Sequence, residues 1–156
     1  MVRQHRGFTL IELMITVMIL GLLMLVGVPF TAGWIHSAQV QEGRALLVQG
    51  YGQAKAAAVR NPLVTSPSAS LKLVTDEEGN VTLLVCVGDP EDDECDIGGG
   101  RVTWQTDLSR GTGISVTLND SADGSISFDN VGLPNNGTDY SVTKGDESVD
   151  GDLRSD

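Results

Sequence analysis

The sequence has few of the residues that catalytic and metal sites require. Its 156 residues include two histidines, two cysteines and only 4% aromatic residues. Both histidines, His5 and His36, lie in the N-terminal quarter, so no Cys-His or Ser-His pair is expected further along the chain. Cys86 and Cys95 lack the C-x-x-C spacing and the nearby histidine of a zinc site. We therefore predict a protein that is not an enzyme, with no catalytic residues, no metal site and no cofactor.

Basic residues are also scarce. The chain has 10 Lys and Arg against 21 Asp and Glu, a formal net charge of −11. From Asp76 to Asp156, 19 acidic residues face four basic ones, which gives this region a formal charge of −15. A surface of that sign repels phosphate backbones. No nucleic-acid partner is expected.

What the sequence does have is a long apolar run near its start. Residues 1–7 are basic, with Arg3 and Arg6, and residues 8–30 carry a single charge, Glu12. Those 23 residues would form a helix roughly 34 Å long, enough to cross a bilayer core. Because the bases precede the run, we expect a single pass through the inner membrane, with the N-terminus cytoplasmic and the rest periplasmic.

Two other kinds of N-terminal segment share some of these features. A secretory signal also has a basic start and an apolar middle, but this run is long and has no clear small-x-small cleavage site at its far end. A plain membrane anchor would not explain Glu12, because an ionised carboxylate in hydrocarbon costs a few kcal/mol. Glu12 is therefore expected to need a partner.

Residues 7–13, Gly-Phe-Thr-Leu-Ile-Glu-Leu, resemble the class III signal of type IV prepilins. The resemblance implies that prepilin peptidase cuts between Gly7 and Phe8, making residues 1–7 a leader, and that the new amine of Phe8 is methylated. It also implies that an inner-membrane assembly platform builds the subunit into a filament of pilins. In that filament Glu12 would pair with the N-terminal amine of a neighbouring subunit.

Gly21 and Pro29 fall inside the apolar run, and both weaken a helix. The resemblance implies that the helix loosens and stretches between them in a filament. The alternative is a proline kink that a membrane helix tolerates.

The expected fold is α+β, the type IV pilin fold. Residues 8–30 form the transmembrane and assembly helix, and the three-or-four spacing of apolar residues over 31–61 predicts its amphipathic continuation, which ends before Pro62. Residues 62–156 alternate in short segments and predict a small antiparallel sheet packed on that helix. Hairpin turns are expected at Gly79-Asn80, within residues 119–124 at Asp123-Gly124, and at Asn136-Gly137. The expected strands are 71–75, 81–87, 101–106, 114–118, 125–128 and 140–143.

Three features of residues 62–156 leave alternatives open. In an oxidising periplasm Cys86 and Cys95 should form a disulfide, the alternative being two buried free thiols. The acidic loop 88–96 could hold calcium, but its spacing favours a solvated loop. The last dozen residues could be a disordered tail or an edge strand.

Looser features resemble the GspH, FimT and FimU group of pseudopilins and minor pilins. They include residues 53–60, the two cysteines, Trp104 and the segment 126–128. The resemblance favours a FimU-like minor pilin near the filament tip, supporting pilus assembly, twitching motility and adhesion. The alternatives are a GspH-like pseudopilin of type II secretion, which drives protein export, and a tip adhesin or ion-dependent binding module. DNA binding is not carried over, because residues 145–156 hold five acids and one arginine.

Overall fold

A computed structural model describes residues 8–60, 66–109 and 113–155, without the side chains of residues 26–32. The described chain contains one long helix and seven strands, in two compact units, Met1–Ile35 and His36–Asp156. The helix, α1, runs from Leu10 to Arg60 and takes part in both units. The strands are β1 (Ala69–Thr75), β2 (Val81–Val87), β3 (Val102–Asp107), β4 (Ser115–Leu118), β5 (Ser125–Phe128), β6 (Asp139–Lys144) and β7 (Glu147–Asp152).

The unit His36–Asp156, called the head below, contains two antiparallel sheets. The larger sheet has the order β3-β2-β1-β5, and the smaller has the order β4-β6-β7. The α+β class and the packing of a helix on antiparallel sheet are thereby confirmed. The sequence predicted a single small sheet, whereas the strands divide between two.

The head portion of α1 packs one apolar face against both sheets. Its core side chains recur every three to seven residues, as a single helical stripe requires, and are at most 6% exposed: Val40, Leu47, Tyr51, Ala54 and Ala58. A Cβ on Gly50 would lie 2.7 Å from Leu83, and one on Gly43 would lie 3.1 Å from Val142. Each glycine therefore permits a close approach of the helix, Gly50 to the larger sheet and Gly43 to the smaller. This contact offsets the low helix propensity of glycine.

Strand β2 is buried along its whole length, because both of its faces are covered. Leu83 and Val85 join the main core with α1. On the alternate positions, Leu84 and Cys86 form a second cluster with Cys95. Successive side chains of a strand point to opposite faces, so the disulfide-linked segment covers the face turned away from the main core. This explains why β2 is a continuous apolar run.

The connections correct one expectation. The turn at residues 119–124 was predicted as a hairpin, but β4 pairs with β6 and β5 pairs with β1. The turn therefore crosses from one sheet to the other, with positive φ at Asn119 and Asp120. Asn136 likewise does not join a hairpin. Its side chain accepts a hydrogen bond from Ser127 N–H at 3.0 Å and donates one to Ser125 C=O at 2.7 Å, which caps the outer edge of β5.

For the C-terminal segment the sequence allowed either a disordered tail or an edge strand, and the structure shows an edge strand, β7. β7 pairs with β6 in register from Lys144↔Glu147 to Asp139↔Asp152. The predicted helix end before Pro62 lies outside the described residues, and α1 is helical through Gly21 and Pro29. The loosening of this segment in a filament stays a prediction.

Candidate functional site: the N-terminal assembly segment

The start of α1 is fixed by a local capping interaction. The backbone N–H of Glu12 donates to Thr9 Oγ1 at 3.3 Å, and Leu13 N–H donates to Thr9 C=O at 3.2 Å. Thr9 is therefore the N-cap, and Thr-x-x-Glu is the sequence pattern of a capping box. Our sequence reasoning missed Thr9, although this spacing would have identified it. The cap begins the helix just after the proposed processing site.

The apolar side chains of residues 8–25 are exposed in the single chain. Their exposed fractions run from 51% for Ile19 to 78% for Phe8 and Leu10. An apolar surface this extensive is characteristic of a site that another molecule or a lipid phase covers.

Among the residues that the structure describes, no helix is both long enough and apolar enough to cross a membrane. The predicted span of residues 8–30 includes five residues, 26–30, whose side chains lie outside the described part.

Glu12 is the exception within this apolar surface. Residues 8–25 contain three polar side chains, and two of them are satisfied locally: Thr9 accepts the cap hydrogen bond, and Thr16 Oγ1 donates to Leu13 C=O at 2.8 Å. The Glu12 carboxylate forms no ion pair or hydrogen bond with another described residue. Its neighbours one turn away include Phe8 and Ile15, both exposed. The site therefore combines one unpaired carboxylate with a broad apolar surface.

The other predicted residues of this segment are placed only in part. Gly7 and the leader 1–7 lie outside the described residues, so the processing site stays a prediction. Phe8 is described and exposed, and its methylation stays a prediction. Gly21 has no heavy atom within 4 Å of a Cβ built on it. The structure therefore places Glu12 and Gly21 on one continuous helix, and Phe8 lies two residues before its first residue, Leu10.

The second candidate region is the acidic loop of the head. Cys86 and Cys95 form a disulfide, both are fully buried, and no described cysteine is free. Arg101 donates to Asp92 at 2.7 Å and to Glu94 at 2.9 Å. These contacts are partly exposed and contribute modestly to stability, but they use two of the carboxylates that a cation would need. The loop is therefore ordered by its own contacts, while most of its acidic side chains are exposed to solvent.

Backbone contacts also hold the acidic loop. Asp89 and Asp92 each accept a backbone N–H two residues ahead, at 3.0 Å, and Lys72 Nζ donates to Cys95 C=O at 3.3 Å. The described part of the chain contains no group of three or more Asp, Glu, His or Cys side chains arranged to hold a metal ion. The arrangement is that of a folded surface loop. Sequence reasoning missed Arg101, because nothing in the local pattern of the loop identifies a partner seven to nine residues away.

Comparison with known proteins identifies the N-terminal segment. Residues 2–28 match the family model described as the prokaryotic N-terminal methylation motif. No curated protein and no solved structure matches the chain significantly. The motif match supports a type IV pilin or pseudopilin, a membrane-anchored structural class without catalytic activity. It implies processing by a prepilin peptidase and assembly with other pilins.

Proposed function

We propose that this chain is a minor pilin of a type IV pilus, cut between Gly7 and Phe8, methylated at Phe8, and incorporated near the filament tip. There it supports pilus assembly, twitching motility and adhesion. The observation that carries the proposal is the Glu12 carboxylate, which has no partner among the residues described and lies within an exposed apolar helix surface, inside the matched motif. Its partners are other pilins, the prepilin peptidase and the inner-membrane assembly platform.

The proposed role of Glu12 follows from its position. After the cut, Glu12 is four residues from the new amine of Phe8, about one helical turn. A carboxylate and an amine on neighbouring subunits would neutralise each other only in one axial register. A buried charge pair of this kind contributes more to the choice of register than to overall stability. The apolar surface supplies the attraction between subunits or with lipid, and the charge pair sets their stagger.

The test compares carboxylate variants in the chain's own host. Glu12→Ala and Glu12→Gln should leave membrane insertion and leader removal intact and strongly reduce the subunit's recovery in sheared filaments. Glu12→Asp, which keeps the charge on a shorter side chain, should retain part of that recovery. Glu42→Ala is the matched control, because Glu42 is an exposed carboxylate of the same helix in the head. Recovery of Glu12→Ala in filaments at the wild-type level would contradict the pairing proposal.

The competing assignment is a type II secretion pseudopilin, which would share the N-terminal motif. A deletion strain separates the two when surface pili and secreted exoenzyme are measured in parallel. Loss of pili with normal secretion supports the minor pilin. Loss of secretion with normal pili assigns the chain to the secretion pseudopilus instead.

A tip adhesin or ion-dependent binding module is less well supported. Its candidate residues would come from the acidic loop, where Arg101 already pairs with Asp92 and Glu94. Calcium titration of the full chain by calorimetry would overturn this judgement if it gave a saturable binding isotherm that Asp93→Asn weakened.

A further inference from the structure

Trp34 is the most exposed large apolar side chain in the described part of the molecule. Its side chain is 86% exposed, and the adjacent Ile35 is 57% exposed. The first core residue of the head along the helix is Val40. Trp34 therefore lies after the apolar run and before the buried face of the head begins, and the head's core does not account for its presence.

The length of α1 places Trp34 at a particular depth if the apolar segment is inserted in a bilayer. From Leu10 to Trp34 the helix rises about 36 Å, at 1.5 Å per residue. The hydrocarbon core is about 30 Å thick, and the whole bilayer with its headgroups is about 40–45 Å thick. With Leu10 near the cytoplasmic boundary, Trp34 reaches the opposite interface. Indole is suited to this zone because its ring is apolar and its N–H needs a polar partner.

The sequence around Trp34 offers no other residue type that commonly anchors a helix end. No lysine or arginine occurs from residue 8 to residue 43, and Trp34 is the only aromatic residue between Phe30 and Tyr51. The cytoplasmic end, in contrast, has Arg3 and Arg6. In the uncut precursor the two ends would therefore be held by different chemistry, basic side chains inside and one indole outside, and after the proposed cut the indole would remain.

We propose that Trp34 binds the lipid headgroup zone of the outer face of the inner membrane and sets the depth at which the subunit is inserted in the membrane before assembly. This rests on the proposed membrane-inserted precursor and adds the partner of Trp34, which is a lipid interface. A neighbouring subunit in place of lipid is the competing occupant.

The experiment uses tryptophan fluorescence of the full chain in vesicles of brominated phosphatidylcholine. Trp104→Phe leaves Trp34 as the sole tryptophan. Bromine quenches indole at short range, so lipids brominated near the headgroup, at mid-chain or near the chain end report its depth. We expect blue-shifted emission and the largest loss of fluorescence with bromine nearest the headgroup. Largest quenching by chain-end bromine, or no quenching by any of the three lipids, overturns the proposal.

Two control variants calibrate this measurement. Trp34→Phe retains Trp104 of the head, whose fluorescence should be insensitive to all three lipids. Leu20→Trp in a chain lacking both native tryptophans places an indole in the middle of the apolar run, and it should be quenched most by chain-end bromine. Leu20 is exposed, so the larger ring meets no packed neighbour.

Flotation of the same vesicles separates this proposal from the membrane-inserted precursor on which it rests. Protein that floats while Trp34 is not quenched overturns the role of Trp34 alone. Protein that fails to float overturns membrane insertion as well. Quenching that appears only above a threshold protein-to-lipid ratio assigns Trp34 to contacts between subunits and likewise overturns the lipid proposal.

Discussion

The two portions of α1 obey the same hydrophobic effect with opposite results. In residues 8–25 the apolar side chains are exposed, whereas in the head the apolar face at Leu47, Tyr51 and Ala54 is buried on the sheets. In a folded monomer, burial of apolar area is the main source of stability. The head obtains that burial from its own strands. The N-terminal segment carries at least as apolar a sequence, and its burial has to come from outside the chain.

This difference separates two kinds of side chain in one helix, those that stabilise the fold and those available for assembly. Gly43 and Gly50 show the first kind, because a side chain at either position would collide with a sheet. Gly21 shows the second, because a Cβ there meets nothing within 4 Å. Mutations in the two portions should consequently affect different measurements.

The largest expected effect on stability comes from one substitution made in both portions. Leu47→Ala should lower the free energy of unfolding of the head by about 2–5 kcal/mol, because Leu47 is fully buried and leaves a cavity. Leu20→Ala should change it by less than about 0.5 kcal/mol, because Leu20 is exposed. The measurement is denaturant unfolding of the full chain in detergent, followed by Trp104 fluorescence in a Trp34→Phe background. Equal losses for the two variants would contradict the division of α1 into a packed and an assembly portion.

The disulfide gives a smaller effect confined to the head. Replacing Cys86 and Cys95 together by alanine should lower the stability of the head by about 2–3 kcal/mol, since the crosslink closes a short loop of the unfolded chain. The loss should also include part of the packing under β2, where both side chains are buried. Denaturant unfolding with and without dithiothreitol measures it, and the reductant should destabilise only the wild-type chain.

Flotation with vesicles tests whether the disulfide also affects residues 8–25. The double variant should bind vesicles as the wild type does, because the disulfide contributes nothing to residues 8–25. A variant that loses vesicle binding would show that the two portions do not act independently.

Local patterns predicted much of this fold. The bounds of β2 and β5 follow from short strand-like segments between turn residues, and the helical stripe from Val40 to Ala58 follows from its spacing. The prepilin motif at residues 7–13 could also be recognised from the sequence, because its residues are consecutive. Each of these depends on interactions within one element or one turn.

Features set by distant contacts could not be predicted in this way. β7 contains three acidic residues, and its Val149 is only half-buried, so its sequence resembles a tail. Its pairing with β6, rather than its own composition, makes it a strand. The division into two sheets likewise depends on which strands pair across the chain. Glu12 was predicted as a site residue, but that its carboxylate has no partner among the described residues is a property of the three-dimensional structure.

The smallest predicted effect tests the charged surface of the head, which contrasts with the nearly uncharged segment 8–25. The pKa of Asp76 lies below its ordinary value, chiefly because the Asn80 side-chain amide donates to its carboxylate at 2.8 Å, with further backbone donors from Asn80 and Glu78. Because its pKa is lowered in the folded state, the Asp76 carboxylate contributes stability at pH values above its pKa in the unfolded chain, about 3.9. That contribution is lost as the pH falls through the folded-state pKa. Wild type should therefore be more stable than Asp76→Asn near neutral pH.

The difference between these two chains should shrink on acidification below about pH 4, because protonation removes the carboxylate that distinguishes them. The measurement is the urea midpoint of each full chain at several pH values. Subtracting the midpoint of Asp76→Asn from that of wild type cancels the effect of the other carboxylates, which titrate in both chains. Glu77→Gln is the matched control, because it removes an adjacent exposed charge that makes no hydrogen bond to another described residue. Its midpoint should stay close to that of wild type throughout. A pH-independent difference between wild type and Asp76→Asn would mean that the turn is held by the shape of the side chain, and that the charge of this surface contributes to solubility without contributing to the fold.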